Sequence, residues 1–270
     1  MTRKKRLDSL LFEKGLVESR SLAQRMVMAG EIRVNAVVVD KPSHLVSEDD
    51  EIVIHPLPRF VSRGGEKLEK ALHSFNLLDL SGKVCADIGS STGGFTDCLL
   101  QHGAVRVYAI DVGKGLLHWR LRNDSRVVTM EENNARFITS LPEPIDLVTI
   151  DASFISLKTL LPIAKKWMDS EGKIIALIKP QFEAGRELAA KGRGVIRDPV
   201  IHQAILRDLI LFCMDGGLEP LDMEVSPILG PKGNREFLFF LQKLFAPLNV
   251  SADEIIGKLI SGNQRLKNLP

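Results

Sequence analysis

Four ionisable residues lie where apolar runs of this 270-residue chain begin or end. Asp151 directly follows the run IDLVTI, and Lys179 follows KIIALI. Glu236 lies at the start of REFLFFL, and Lys67 lies near the start of a helical segment, SRGGEKLEKAL. The strand ends of an α/β sheet face its ligand site, so lysines and carboxylates there can move protons or stabilise charge. Each residue by itself is equally consistent with a solvated strand end.

A glycine-rich loop, DIGSSTGG at residues 87–94, follows the strand-like run KVCA. It has neither the GxGxxG pattern of dinucleotide folds nor the GK[ST] ending of a P-loop. Asp87 would repel a phosphate, but it tolerates a sulfonium cation with a zwitterionic tail. Asp111 ends the next strand, where a carboxylate can accept both hydroxyls of a ribose. The combination indicates S-adenosylmethionine, although DxG alone is also consistent with a plain strand-to-helix turn.

The candidate cofactor contacts lie in this loop and at the ends of the next two strands. Glycine backbone can approach an amino-acid moiety closely, and the segment NNARF after RVVTM is placed to contact an adenine. The predicted cofactor-binding residues are Asp87, Gly89, Ser90, Ser91, Thr92, Gly93, Gly94, Phe95, Asp111 and Asn134.

The elements that position these residues begin near residue 60. Strand-like runs alternate there with amphipathic segments: KVCADIG, RVYAID, RVVTM, IDLVTID and GKIIALIKP. That alternation predicts a doubly wound, Rossmann-like α/β sheet with parallel strands. After a long helix, LEPLDMEVS and REFLFFLQK are predicted to form a closing antiparallel hairpin. We expect this domain at residues 59–245 and a C-terminal tail, without an interpretable motif, at 246–270.

The first sixty residues have a different pattern. Two short helices, RLDSLLFEKGL and SRSLAQRMVMAG, precede short strands with a tight turn at Asn35 and Ala36. We expect this α+β domain at residues 1–58, joined to the rest by a proline-containing linker at 55–61.

The order of these elements resembles the small RNA-binding domain of the S-four type, first recognised in a small-subunit ribosomal protein. Basic residues outnumber acidic ones by four in residues 1–30. Although such a charge run is usually a solvated helix face, the resemblance implies contacts to an RNA backbone from Arg6, Arg20 and Arg25.

The ionisable set Lys67, Asp151, Lys179 and Glu236 resembles the Lys-Asp-Lys-Glu tetrad of the FtsJ-like ribose 2′-O-methyltransferases. With DASFISL, IKPQFEAG and GVIRDPVIH added, most of the chain resembles the TlyA family of ribosomal RNA cytidine 2′-O-methyltransferases, often labelled haemolysins. The resemblance implies methyl transfer to cytidine in large-subunit ribosomal RNA, with ribosomal RNA or ribosomal subunits as the partner. The basic start and the long tail favour the type that also modifies the small subunit. Arg63 would be a further RNA contact.

The mechanism that the resemblance implies is attack of a ribose 2′-oxygen on the sulfonium methyl. The hydroxyl is a poor nucleophile, so its proton must be removed or strongly polarised. Lys179 is the usual assignment, either as a base or as a charged group that stabilises the alkoxide, and the sequence leaves both open. Asp151 and Glu236 would orient the two lysines.

Composition limits the alternatives. The net charge of +2 is too small to indicate a nucleic-acid partner by itself. The three cysteines lack metal or disulfide spacing, which favours the reducing cytoplasm, and we expect no required metal. We also expect no signal peptide and no membrane span, which counts against a pore-forming haemolysin. A second alternative, an RNA-binding module with an inactive methyltransferase domain, conflicts with the complete tetrad.

Overall fold

The structure is a computed structural model that describes residues 4–28, 30–54, 58–244 and 251–261. It divides the chain into two compact units, Met1–Arg59 and Phe60–Pro270. The predicted linker lies partly outside the described residues, at 55–57, and so do residues 246–250 and 262–270 of the predicted tail.

The first unit is a small α+β fold. Its first helix buries Leu7, Leu10 and Leu11, the apolar residues that recur at helical spacing. The helices are α1 (Leu7–Glu13) and α2 (Arg20–Met28), and the strands are β1 (Lys5–Arg6), β2 (Ile32–Val34), β3 (Val37–Val38), β4 (Leu45–Val46) and β5 (Ile52–Ile54). Strand β2 pairs antiparallel with β3 and β5, and β1 pairs antiparallel with β4.

A two-residue turn joins β2 to β3 at Asn35 and Ala36. Both residues have left-handed φ angles, 48° and 67°, as a tight hairpin between twisted strands requires. The Asn35 side chain donates to Asp50 at 2.9 Å and accepts from the Glu51 amide at 3.0 Å. The predicted turn is therefore confirmed, and its side chain also holds the entry to β5.

A seven-stranded sheet forms the centre of the second unit. Its strands are β6 (Val84–Ile88), β7 (Arg106–Ile110), β8 (Val127–Met130), β9 (Ile145–Ile150), β10 (Met168–Ile178), β11 (Leu218–Val225) and β12 (Phe237–Lys243). Their spatial order is β11-β12-β10-β9-β6-β7-β8. The five strands from β10 to β8 are parallel, and β12 is antiparallel to both β10 and β11. The predicted doubly wound sheet and its closing hairpin are confirmed.

Helices cover both faces of this sheet. Along β7, Val107 and Ala109 belong to one buried cluster, while Tyr108 and Ile110 belong to another, because alternate side chains point to opposite faces. The helices are α3 (Gly64–Ser74), α4 (Gly94–Gln101), α5 (Trp119–Arg122), α6 (Leu157–Trp167), α7 (Pro180–Glu183), α8 (Arg186–Lys191), α9 (Pro199–Asp215) and α10 (Ala252–Ile256), with a 3₁₀ turn at Ala135–Phe137 and a π turn at Gly257–Ser261.

The described part of the predicted tail is structured. Ser251 and Glu254 form a reciprocal capping box at the start of α10. Ile255, Ile256 and Leu259 are buried in the same cluster as the strands and the long helix α9. This segment therefore contributes side chains to the second unit's core. The sequence has no motif here from which that packing could have been predicted.

Candidate active site

The strand order determines where the site lies. From β6 the chain adds β7 and β8 on one side of the sheet, then β9 and β10 on the other. Ligands of open α/β sheets bind at such a reversal, outside the carboxyl ends of the strands. Gly89, Asp111, Asp151 and Lys179 each directly follow one of these strands, so the topology brings them to one edge.

Gly89 lies at a close approach between the loops that follow β6 and β9. Its φ angle is 82°, and a Cβ atom on it would lie 2.7 Å from the carbonyl oxygen of Asp151. A side chain at this position would therefore displace the neighbouring strand end. Packing against Asp151 therefore requires glycine at position 89, whether or not a ligand also does.

Asp87 lies inside the protein and lines neither of the cavities at this edge. Its carboxylate accepts hydrogen bonds from the Thr96 hydroxyl at 2.7 Å and the Thr149 hydroxyl at 2.9 Å. Complete burial raises the pKa of Asp87 to about 6. Asp87 ties β6 to α4 and β9 because its oxygens face those two threonines, and its contact with the cofactor stays a prediction.

The two adjacent glycines of the loop serve helix packing. A Cβ atom on Gly93, whose φ angle is 98°, would overlap the side chains of Leu117 and Leu121. Gly93 lines neither of the two cavities at this edge, and its predicted cofactor contact stays a prediction. A Cβ atom on Gly94 would lie 2.9 Å from the Gly65 amide nitrogen, where α4 meets α3.

Asp111 lies on the wall of a groove of about 460 Å³, here called the Asp111 groove. Its carboxylate accepts the Ser91 amide at 2.8 Å and the Gly113 amide at 2.7 Å, one on each oxygen. Each oxygen keeps a second lone pair, so the carboxylate can also accept ribose hydroxyls. Asn134 lines the same groove, and its side-chain oxygen also accepts the Arg136 amide at 3.1 Å. The volume and donor set fit a nucleoside.

Glu131 holds the loop at residues 115–117, of which Leu116 lines this groove, and it is absent from the residues predicted from the sequence. It accepts hydrogen bonds from the amides of Gly115, Leu116 and Leu117 and from the Arg122 guanidinium. These contacts, the Leu117 amide first, lower the pKa of Glu131 to about 2. The sequence did contain a signal for Glu131. It is a carboxylate directly after strand β8, and the ends of the preceding strands already carried candidate residues.

A second cavity, of about 600 Å³, adjoins the groove and is here called the tetrad cavity. All four tetrad candidates line it. They form two ion pairs: Lys179 Nζ lies 2.6 Å from Asp151 Oδ1, and Lys67 Nζ lies 2.6 Å from Glu236 Oε2. Gly89, Ser91, Asp151 and residues 153 and 154 line both spaces, so the groove and the cavity are continuous.

The other predicted loop residues face the tetrad cavity. Ser90, Ser91, Thr92, Gly94 and Phe95 line it, as does Arg63. Ser90 Oγ is buried without a hydrogen-bond partner, and so are Glu236 Oε1 and Gln181 Oε1 on the same walls. Buried polar atoms are normally paired, so these three atoms are available for a ligand.

Two aromatic rings border the same cavity. Phe154 is 90% exposed and has a left-handed φ angle of 63°, which is an outlier for a bulky residue. Its ring lies 5.0 Å from that of Phe182. Such strain is concentrated at functional sites, and an exposed ring beside the cavity suits a planar ligand. The segment DASF placed Phe154 three residues after Asp151, which was the only sequence signal for it.

The RNA-binding candidates of the first unit are on its surface. Arg6 and Arg20 both contact the buried carboxylate of Asp8, at 3.0 and 3.3 Å. Arg25 is exposed on helix α2.

No helix within 4–28, 30–54, 58–244 and 251–261 is both long and apolar enough to cross a membrane. Within the same ranges there is no group of three or more His, Cys, Asp or Glu residues that could hold a metal ion.

Comparisons with known proteins agree with this geometry. The family model for an FtsJ-like methyltransferase matches residues 60–243, and the model for an S4 domain matches residues 5–52. Hemolysin A of Brachyspira hyodysenteriae is 44% identical over 86% of this chain and 98% of its own length. The 16S/23S rRNA (cytidine-2′-O)-methyltransferase TlyA of Mycobacterium tuberculosis is 40% identical over 90% of this chain and 91% of its own.

A solved structure is also similar. A Streptococcus thermophilus protein with a hemolysin label superposes with a TM-score of 0.69 at 41% identity, and the match covers 96% of each chain. The family models, the identities and the tetrad geometry all lead to the same conclusion. The chain is a methyltransferase with an S-adenosylmethionine-type cofactor and belongs to the FtsJ-like methyltransferases, in the TlyA family, with an S4 domain ahead of the methyltransferase domain.

Proposed function

We propose that this chain transfers a methyl group from S-adenosylmethionine to the ribose 2′-hydroxyl of cytidine in ribosomal RNA. The observation that carries the proposal is the tetrad cavity, in which two lysine–carboxylate pairs adjoin a nucleoside-sized groove. The names of relatives at 40% identity support the RNA and the nucleotide. The large subunit is the expected substrate, and the small subunit is the second one to test.

The cofactor supplies an electrophilic methyl group on a sulfonium sulfur. The residues of this chain would bind it in two places. Asp111 would accept the ribose hydroxyls in the groove, and Asn134 would lie on the adenine side. Ser90 Oγ and the backbone at Gly89 would meet the amino-acid end, where the groove opens into the tetrad cavity.

Lys179 is the proposed group beside the reacting hydroxyl. Its ammonium lies near three oxygen acceptors: the Asp151 carboxylate at 2.6 Å, the Ser153 hydroxyl at 3.0 Å and the Asp151 carbonyl at 3.5 Å. The Ser153 hydroxyl and the Asp151 carbonyl accept N–H donors of the lysine, and the Asp151 carboxylate faces it as an ion-pair partner. This arrangement favours a charged Lys179 that stabilises the developing alkoxide over a neutral lysine that removes the proton.

The pair of Lys67 and Glu236 would supply the second half of the site. Lys67 is bound to one oxygen of Glu236, and the other oxygen is buried without a hydrogen-bond partner. That free acceptor can take a hydrogen bond from a sugar hydroxyl. Glu236 would therefore orient both the ribose and Lys67.

The target base would lie beside the aromatic residues. Phe154 and Phe182 offer a face on which an unstacked base can pack, as enzymes that act on flipped nucleotides require. Arg63 and Lys232 line the same cavity and can neutralise flanking phosphates. The first unit, proposed as an RNA-binding domain over 1–58, would add affinity for the ribosome, and the cytoplasm is the corresponding compartment.

The experiment is methyl transfer from labelled S-adenosylmethionine to unmodified large and small ribosomal subunits, followed by mapping of the modified ribose. We expect label on a cytidine 2′-oxygen in the large subunit with the parent protein and far slower labelling with Lys179→Ala. Label on a base instead of a ribose, or equal label with Lys179→Ala, would contradict the proposal.

A further inference from the structure

Asp8 is a fully buried carboxylate in the first unit. Arg6 donates two hydrogen bonds to it, from Nε to Oδ1 at 3.0 Å and from Nη2 to Oδ2 at 3.0 Å. Arg20 Nε donates to Oδ2 at 3.3 Å, and Gln24 Nε2 donates to the same oxygen at 2.8 Å. The carboxylate therefore joins the start of α1 to the first residues of α2.

The charges of this cluster are unequally exposed. Asp8 has no exposed surface, whereas the Arg6 side chain is 45% exposed and the Arg20 side chain is 51% exposed. The hydrogen bond from the Arg6 guanidinium, together with those from Gln24 and Arg20, keeps the pKa of Asp8 well below its usual range, although burial by itself would raise it. The carboxylate thus remains charged and holds two guanidinium groups beside each other, although they repel.

Both arginines keep donors for another ligand. A guanidinium has five N–H groups, and the contacts to Asp8 use two from Arg6 and one from Arg20. The partly exposed guanidinium groups can therefore bind an outer anion while Asp8 fixes them from inside. Two guanidinium groups with fixed spacing suit the oxygens of one phosphate.

We propose that Asp8 is a positioning residue that holds Arg6 and Arg20 as a two-arginine clamp for one RNA backbone phosphate. The inference rests on the proposed function, because it assumes that the first unit binds ribosomal RNA. It adds that Asp8 positions the two arginines and that the group they bind is a phosphate.

The direction in which one substitution changes RNA affinity tests the clamp. Asp8→Asn keeps the shape of the side chain and removes one negative charge near the arginines. If Asp8 only neutralised the arginines, the variant would bind RNA more tightly because the unit gains positive charge. If Asp8 positions them, the variant binds more weakly, because each freed side chain must be ordered again on binding.

The experiment measures the affinity of the full-length protein for unmodified large ribosomal subunits across a salt series. We expect Asp8→Asn to weaken binding roughly tenfold, with cofactor affinity unchanged. Asp40→Asn is the matched control, because it makes the same charge change at an exposed position of the same unit. We expect that control to bind as tightly as the parent or slightly more tightly.

A variant that lacks both arginines distinguishes a positioning role of Asp8 from a loss of folding. A protein that already carries Arg6→Gln and Arg20→Gln has left the buried Asp8 carboxylate without both cations, so Asp8→Asn should relieve that burial cost and cause no further loss of RNA affinity. If Asp8→Asn acted by unfolding the first unit, it would lower RNA affinity in this background too. Unchanged or tighter binding by Asp8→Asn overturns the clamp and leaves the proposed function intact. A parent protein that binds no ribosomal RNA contradicts the proposed function itself.

Discussion

The two lysine–carboxylate pairs of the tetrad cavity differ in their access to solvent. The side chains of Lys67 and Glu236 are 9% and 1% exposed, whereas those of Lys179 and Asp151 are 10% and 21% exposed. Removing one partner of a fully buried pair leaves an uncompensated charge, which costs about 3–5 kcal/mol. Substitutions at the first pair will therefore mix stability with catalysis, and Lys179 offers the cleaner kinetic test.

We predict that Lys179→Ala lowers the single-turnover rate by roughly 10²–10⁴, the usual range for a general base or an alkoxide-stabilising group. RNA and cofactor affinities should remain, because the lysine acts on the reacting hydroxyl. The measurement uses saturating cofactor and RNA. A parental rate in Lys179→Ala would show that another residue acts at this step.

Lys179→Arg separates the two roles of the lysine. A guanidinium keeps the positive charge and is effectively never deprotonated, so it cannot serve as a base. The three acceptors around Lys179 lead us to expect measurable residual activity in the arginine variant, above that of Lys179→Ala.

The two carboxylates first assigned to the cofactor should respond differently to substitution. We predict that Asp111→Asn weakens S-adenosylmethionine binding about tenfold or more, because it lies on the groove wall. Asp87→Asn should change the dissociation constant only a few-fold, since both Asp87 oxygens face threonines. Calorimetric titration measures both, and equal losses would restore a direct role for Asp87.

Asp87 should also make stability depend on pH. Its folded pKa of about 6 lies above its value in an unfolded chain, so the folded state holds the proton more tightly. This contribution to stability is complete below about pH 4 and is lost as the pH rises through 6. We predict that Asp87→Asn removes that slope, on the order of 2–3 kcal/mol, in chemical unfolding at pH 4–8. A parental slope in the variant would contradict the assignment.

At the scale of elements, helices α3 and α4 meet through glycines. A Cβ atom on Gly94 would lie 2.3 Å from Ser62 Oγ and 2.9 Å from the Gly65 amide nitrogen. The close contact fixes α3 beside the glycine loop, and α3 carries Lys67. The position of one tetrad residue therefore depends on a close helix contact that leaves no room for a side chain at Gly94.

We predict that Gly94→Ala destabilises the protein by about 1–3 kcal/mol and lowers activity, because the added methyl group pushes α3 outward. Gly64→Ala is the stability control, since its Cβ atom would meet Ser62 Oγ at an ordinary 3.4 Å. Thermal unfolding and single-turnover rates report the two effects. Equal stability of the two variants would show that α3 can shift freely.

At the scale of the whole molecule, an excess of positive charge is concentrated in the first thirty residues of the first unit. The chain carries a net charge of +2, yet the first thirty residues alone have four more basic than acidic residues. Fixed charge of this kind neutralises phosphates and releases counterions, whereas the cofactor groove lies in the other unit. RNA affinity and cofactor affinity should therefore be separable by mutation.

We predict that reversing Arg6 and Arg20 to Glu weakens binding to the large ribosomal subunit by one to two orders of magnitude at roughly 0.1 M salt. The slope of log affinity against log salt should also become shallower, while cofactor affinity stays constant. Reversing Arg33 and Lys41, which are exposed on the same unit, gives a charge-matched control. Equal effects of both pairs would indicate a general charge effect without a specific contact.

The sequence by itself determined the order and type of the elements. The alternation of apolar runs specified the parallel sheet, and the closing hairpin followed from its two strand-like runs. The residues Asp151 and Lys179 could be selected because carboxyl ends of parallel strands meet at one edge, whichever partners the strands have. Ionisable residues placed after apolar runs are therefore visible without a structure.

The tertiary structure decided which way each side chain faces. Asp87 and Asp111 both lie near the end of an apolar run in the sequence, yet Asp87 falls inside strand β6 and is buried against threonines, whereas Asp111 follows strand β7 and lines a groove. Asp8 has the same limitation, because two of its partners, Arg20 and Gln24, lie on helix α2, which only the fold brings against α1. Periodicity records burial along one element, whereas the partner of a charged group is set by neighbours that are distant in sequence.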